Sequence, residues 1–325
     1  MSDTNKHGLS RYIPAEIERA VRVRSKFGCV FCRSAIYQYE HITPEFSDAT
    51  EHNSDNICLL CGRCHDKVNK GQISKDCVRR QYETVQKAAE VRPPFDDFVL
   101  DTRRLTVVLG SSIFHGAKTL IEIDGEAVLA IEPPEDGASF PTISGEFSDE
   151  KGKELFRIDK NIWSGKPDAW DMKVEGKEIT IRSAPRKVAL KLIVEPPNKI
   201  VVEHLDMRSG NAFLRLRKGS LEVGRIESDA EYSIGFERFE CDGAETGVKV
   251  DSLAVKEPTL KALNMVGGKG VALEGTGIYL GVGTSRMTIL GLSIEHATRQ
   301  HTKRMTFPLR EDMKGYTQVL PPRIS

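Results

Sequence analysis

The sequence predicts an α+β chain in two parts, a small zinc-stabilised N-terminal domain and a larger, mostly β domain behind it. Three observations predict it. Cys29-Val30-Phe31-Cys32 and Cys61-Gly62-Arg63-Cys64 place two Cys-x-x-Cys pairs around a Glu40-His41 dipeptide. Beyond position 97, apolar and β-branched runs such as LTVVLG, TLIEIDGEAVLAIE and VALKLIVEPP recur between Gly, Pro and Asp. Between the two regions lies Pro93-Pro94, followed by Asp96-Asp97, which reads as a linker. The expected boundaries are 1–92 for the first domain, 93–97 for the linker and 98–325 for the β domain.

At 325 residues, with 39% hydrophobic and 29% charged residues, the chain is long enough for two domains with real cores. Its 47 basic and 47 acidic residues cancel, which excludes nucleic-acid binding through bulk positive charge and requires any such footprint to be local. Residues 1–94 carry 15 Lys/Arg against 12 Asp/Glu, with Arg19, Arg22, Arg24, Lys26 and Arg33 close together. That cluster reads either as a phosphate path or as a solvated helix face. The N-terminal stretch is polar and no apolar run approaches about 18 residues, so a cytoplasmic chain with no membrane contact is expected. Seven cysteines, five of them between positions 29 and 64, point to metal binding in a reducing compartment and away from a disulfide framework.

In chain order, Pro14 suits the first turn of a helix whose Ile17 and Val21 form an i, i+4 stripe. Residues 37–43 suit a strand in which Glu40 and His41 face opposite ways, and a partner strand is expected around Ile57 to Leu60. A short helix follows near the second cysteine pair. Ser74 is the expected N-cap of a further helix carrying Val78, Tyr82, Val85 and Ala89 at helical spacing. In the β region, hairpin turns are expected at Asp124-Gly125, Glu175-Gly176-Lys177 and Lys218-Gly219-Ser220. The region reads as sandwich-like, with a β-solenoid as the alternative.

Four thiolates at Cys29, Cys32, Cys61 and Cys64 suit a tetrahedral Zn²⁺ with bonds of about 2.3 Å. Cys58 also forms a Cys-x-x-Cys with Cys61, but it sits in an apolar run and reads as a buried thiol. Cys77 and Cys241 lack paired spacing and read as structural, His7 and His52 as solvated loop residues. His296, Arg299, His301 and Arg304 read as a surface patch.

From about Ile13 to Ile73 the chain resembles the HNH nuclease motif of the ββα-metal (His-Me finger) class, in its four-cysteine zinc-bound form. The resemblance rests on Glu40-His41, Asn56 and His65 inside the two cysteine pairs. It departs where Glu40 replaces the more frequent Asp and where Ser47-Asp48-Ala49-Thr50 replaces a Gly-Gly loop. It implies that His41 is the general base, since a neutral imidazole accepts a proton near neutral pH. Glu40 and His65 would then hold one divalent ion, Mg²⁺ or Mn²⁺, with Ni²⁺ or Co²⁺ as substitutes in vitro. Asn56 would pin the loop backbone. His65 could alternatively ligate zinc.

The expected function is hydrolysis of DNA phosphodiester bonds, with contacts to the phosphate backbone. A C-terminal β domain would target, restrain or oligomerise the nuclease, in the setting of bacterial restriction or anti-phage defence. The alternatives are a zinc-stabilised nucleic-acid-binding protein without cleavage activity, and an RNA-directed nuclease.

Overall fold

The structure is a computed structural model. It describes residues 4–135, 140–217, 219–227, 230–237, 240–242, 246–250, 259–265, 268–274, 278–282, 287–288, 291–298, 302–308 and 323–324. The chain divides into two compact units: residues 1–97 with 162–187, and residues 98–161 with everything from 188 onward. Residues 162–187 lie within the stretch read from the sequence as one continuous β domain, yet they cluster with the N-terminal unit.

The first unit is built on a two-stranded antiparallel sheet, β1 (Gln38–His41) and β2 (Ile57–Leu60), in which Glu40 pairs with Cys58 and His41 with Ile57. All four β2 residues are buried because both faces of the sheet are covered. Ile57 and Leu59 pack with Ile13, Val21 and Ile17 on the face met by α1 (Ala15–Arg24). Cys58 and Leu60 pack with Val68 of α2 (Gly62–Asn69) and with Val78, Tyr82 and Val85 of α3 (Lys75–Lys87). The period of two therefore splits β2 between two cores, one per face.

Local sequence explains the helices. Pro14 holds φ at −57° just ahead of α1, whose first turn carries Glu16 and Glu18 and whose last turn carries Arg22 and Arg24, charges that suit the helix dipole. Ser74 caps α3, its hydroxyl accepting from the Cys77 backbone N–H. The helix ends at Lys87, so Ala89 of the expected stripe falls beyond it.

The double-proline segment is tied into the first unit. Phe95–Asp97 forms β3, which pairs antiparallel with the strand Ile162–Gly165. The Phe95 backbone donates to Arg33 O at 3.1 Å and accepts from Ala35 N at 2.9 Å, while Gly165 N donates to Pro94 O at 3.1 Å. A hairpin follows, Asp171–Glu175 with Glu178–Ala184, turning at Gly176 where φ is +58°. Trp170 and Asp171 bring this hairpin against α1. Arg22 Nε and Nη2 donate to Asp171 Oδ1 and Oδ2 at 2.9 and 2.8 Å, and Arg19 Nη2 donates to Trp170 O at 2.8 Å.

Three members of the basic cluster, Arg19, Arg22 and Arg33, are thus engaged inside the unit. Arg22 is 4% exposed and also donates to Tyr39 Oη at 2.8 Å. The Arg19 guanidinium lies 3.7 Å over the Trp170 ring. Arg33 is buried too, donating to the carbonyls of Ser25, Lys26, Gly28, Cys29 and Arg92. Arg24 pairs with Asp55. Burial of an arginine demands such partners, and these carbonyls and carboxylates supply them.

Among the described residues the second unit is built of β-strands, with one 3-10 turn at Thr102–Arg104. One run of strands is ordered Thr259–Met265, Gly268–Glu274, Ile278–Val282, Thr246–Val250, Thr119–Ile123, Glu126–Glu132, Thr142–Ser148 and Glu154–Asp159. The other is led by the long strand Lys199–Ser209 and continues through Ala212–Arg217, Ser220–Glu227 and Ala230–Glu237 as successive antiparallel hairpins. Among the described residues the sheets are open and do not close into a barrel. The turn at Asp124-Gly125 has φ of +52° and +84°, the geometry of a tight two-residue hairpin. The Lys218 turn residue, Arg299 and His301 lie outside the described residues, and the side chains of Cys241, His296 and Arg304 are likewise not described. Among the described residues no helix is long and apolar enough to cross a membrane.

Candidate functional site

The two cysteine pairs meet. The Sγ atoms of Cys29, Cys32, Cys61 and Cys64 all lie within 4.8 Å of one another, with Cys32 to Cys61 at 3.5 Å and Cys64 to Cys32 at 3.9 Å. A tetrahedral ion bonded at about 2.3 Å sets its sulfurs about 3.8 Å apart, so this donor set fits Zn²⁺. The loop 29–32 supplies one pair. The other sits at the start of α2, where Cys61 is the N-cap and its sulfur accepts from Cys64 N at 3.4 Å. Burial pushes the Cys32 thiol up to about 11, a cost that a dication among the sulfurs reverses. Cys58 stands outside the cluster. It is fully buried in the β2 core, and burial raises its thiol further.

The tight knuckle geometry depends on Gly28. A Cβ there would stand 2.9 Å from Arg33 O and 3.2 Å from Pro94 Cβ.

Strand alternation sends Glu40 to the α2 side of the sheet, where its carboxylate is 9% exposed. Its Oε2 lies 3.0 Å from His65 Nε2. That distance is a direct hydrogen bond, and it also equals the separation of about 3.0 Å between two ligands on adjacent octahedral positions of an ion at about 2.1 Å. His65 is outside the cysteine cluster, and its Nδ1 meets Asn69 Nδ2 at 3.1 Å, one turn along α2. An amide nitrogen only donates, so Asn69 as placed leaves the His65 proton on Nε2, facing Glu40, and an ion at this point requires the Asn69 amide turned so that its Oδ1 accepts from Nδ1.

Lys75, at the first position of α3, also reaches this point. Its ammonium pairs with Glu40 Oε1 and donates to His41 O at 2.7 Å. Nothing in the sequence distinguishes Lys75 from an ordinary helical lysine.

His41 lies at the end of β1, with Nε2 3.1 Å from His52 Nδ1. Burial first, then His52 and the Lys75 ammonium, hold its pKa down at about 4, so the ring is neutral at neutral pH. His52 is half-buried and engaged, contrary to its reading as a solvated loop residue, because the 45–52 loop folds back over β1 and residues 4–13 lie against it. Its Nε2 is 2.8 Å from Ser10 O. The Phe46 ring flanks His41 at 5.4 Å and stacks on His52 at 14° and 6.4 Å.

Asn56 is engaged on the opposite side of the loop. Its main-chain carbonyl accepts from Ile42 N at 2.8 Å, and its side-chain Oδ1 accepts from Arg79 Nη2 at 3.2 Å. Arg79 also donates to Thr43 O, so Asn56 braces the strand exit through α3.

Glu40, His41, His65 and Lys75 share one open cleft of ≈ 960 Å³, whose lining also includes Lys6, Arg11 and Tyr12. No protein-family model, curated protein or solved structure matches the chain.

Proposed function

We propose that the N-terminal unit is a metal-dependent endonuclease of HNH type acting on DNA, its fold held by zinc on Cys29, Cys32, Cys61 and Cys64. The observation that carries this reading is the approach of Glu40 Oε2 to His65 Nε2 at 3.0 Å beside a neutral His41, at the wall of an open cleft. Glu40 and His65 would hold one divalent ion, which supplies Lewis-acid stabilisation of the departing oxyanion when bound. His41 takes the proton of the attacking water. Lys75 adds positive charge beside the scissile phosphate, and Asn56 holds the strand exit through Arg79. The β unit would target or restrain cutting, a role that suits a defence nuclease by analogy alone.

A second reading, a zinc-stabilised nucleic-acid-binding protein that does not cut, is favoured by one specific observation. The Lys75 ammonium already neutralises Glu40, the charge a divalent ion would need. The deciding experiment incubates the full chain with supercoiled plasmid, single-stranded DNA and RNA in Mg²⁺ or Mn²⁺. Nicked or linear plasmid, lost with Glu40→Ala and His65→Ala, is the expected result. Retarded but intact plasmid with every ion supports the second reading, and cleavage of RNA alone reassigns the substrate.

A further inference from the structure

The segment ahead of α1 is folded as a small closed loop. Asn5 N donates to Leu9 O at 2.9 Å, and Asn5 Oδ1 accepts from the backbone N–H groups of His7 and Leu9. The Asn5 amide then crosses to the 45–52 loop, donating to Phe46 O at 2.5 Å and Ala49 O at 2.7 Å. Lys6 pairs with Asp48, and the Arg11 guanidinium lies 4.6 Å over the Phe46 ring. These contacts present the Ser10 carbonyl to His52.

The hydrogen-bond chain has only one sense when both imidazoles are neutral. A backbone carbonyl only accepts, so the His52 Nε2 that faces Ser10 O at 2.8 Å must carry the proton. Neutral His52 then has a bare Nδ1, which can only accept. The His41 Nε2 facing it at 3.1 Å must therefore donate, and the lone pair of His41 is left on Nδ1. We propose that Ser10 and His52 together fix His41 as the Nε2–H tautomer, with Nδ1 as its free basic nitrogen, and that His52 and the Asn5-anchored segment are positioning elements for the base. The catalytic part of this rests on the nuclease reading; the tautomer does not.

The consequence is that residues 4–13, which have no motif of their own, complete the site. Without Ser10 the His52 ring loses its orienting acceptor, and His41 loses the hydrogen bond that fixes which nitrogen carries its proton. Second-shell partners of histidines act at about 10- to 100-fold on affinity or activity.

The test uses the full chain loaded with zinc and labelled with ¹⁵N-histidine, read by long-range ¹H–¹⁵N correlation. Expected are Nε2–H signals for both His41 and His52 and a nitrogen–nitrogen coupling across the bond between them, lost in His52→Ala and weakened in Asn5→Ala. Finding the His41 proton on Nδ1, or no coupling to His52, overturns the proposal whether or not the protein cuts. In cleavage assays, His52→Ala should lower kcat about 10- to 100-fold with KM little changed. His52→Gln, whose amide can accept from His41 and donate to Ser10, should restore part of it. Asn5→Ala combined with His52→Ala should be no slower than His52→Ala alone. An unchanged kcat in His52→Ala refutes the positioning role, whereas absence of cleavage in the wild type refutes the nuclease reading and leaves the tautomer to be decided by the coupling.

Discussion

Arg22 and Asp171, 149 positions apart, form a two-point ion pair in which both residues are under 5% exposed. It joins α1 to the hairpin 171–184, and through Tyr39 it reaches the strand that carries Glu40 and His41. A buried pair of this kind is costly to break because the survivor is left charged and unpartnered. Asp171→Ala should destabilise the N-terminal unit by about 3–5 kcal/mol, and Arg22→Met with Asp171→Leu together should cost far less. Urea unfolding followed by tryptophan fluorescence measures both. A loss below 1 kcal/mol in the single variant would show the pair to be dispensable.

The same pair decides what folds alone. Residues 1–97 lack Asp171 and the strand that pairs with β3, so this fragment should stay poorly structured even with zinc. Amide dispersion in a ¹H–¹⁵N spectrum is the measure. A well-dispersed, zinc-dependent spectrum from 1–97 would mean that the hairpin only decorates the unit.

Zinc should be stoichiometric with the full chain and carried by four sulfurs. Cys29→Ser or Cys61→Ser should lose the ion and the helical signal with it, since structural zinc supplies folding free energy directly. Cys58→Ala should keep the zinc and lose only core packing. Elemental analysis beside circular dichroism separates these outcomes, and loss of zinc from Cys58→Ala would show that the donor set is misassigned.

If Glu40 and His65 hold a divalent ion, the Lys75 ammonium on Glu40 opposes it. Two unit charges about 4 Å apart interact by about 1 kcal/mol even in water, so Lys75→Met should tighten Mn²⁺ binding by about 5-fold or more. Titration of full-length protein followed by the Mn²⁺ paramagnetic signal measures the change. Weaker or unchanged binding in Lys75→Met would place the ion elsewhere.

His41→Ala should lower cleavage by about 10²- to 10⁴-fold while zinc content and unfolding midpoint stay near wild type. A variant that cuts at the wild-type rate would remove His41 from the role of base.

Much of the local structure was legible. The Ser74 cap, the apolar stripe of Val78, Tyr82 and Val85, the β1 and β2 strands and the Asp124-Gly125 turn all follow from patterns spanning a few residues. The meeting of Cys29 and Cys32 with Cys61 and Cys64 was legible as well, because thiol pairs at that spacing have few other uses. Glu40 and His41 were expected on opposite faces, and alternation along β1 sends Glu40 to His65 and leaves His41 to His52.

The rest was decided by tertiary structure. Arg19, Arg22 and Arg33 read as surface charges because a run of arginines looks the same whether it faces solvent or carbonyls. Only the fold brings Trp170, Asp171 and the knuckle backbone to them. Lys75 on Glu40, and Ser10 through His52 on His41, likewise join residues from different segments with no shared spacing. The sequence by itself determined the elements and the four-cysteine cluster, since caps, turns, periodicity and Cys-x-x-Cys spacing act over one or two turns of chain. With 47 basic and 47 acidic residues available, which charge meets which is set by the packing of those elements.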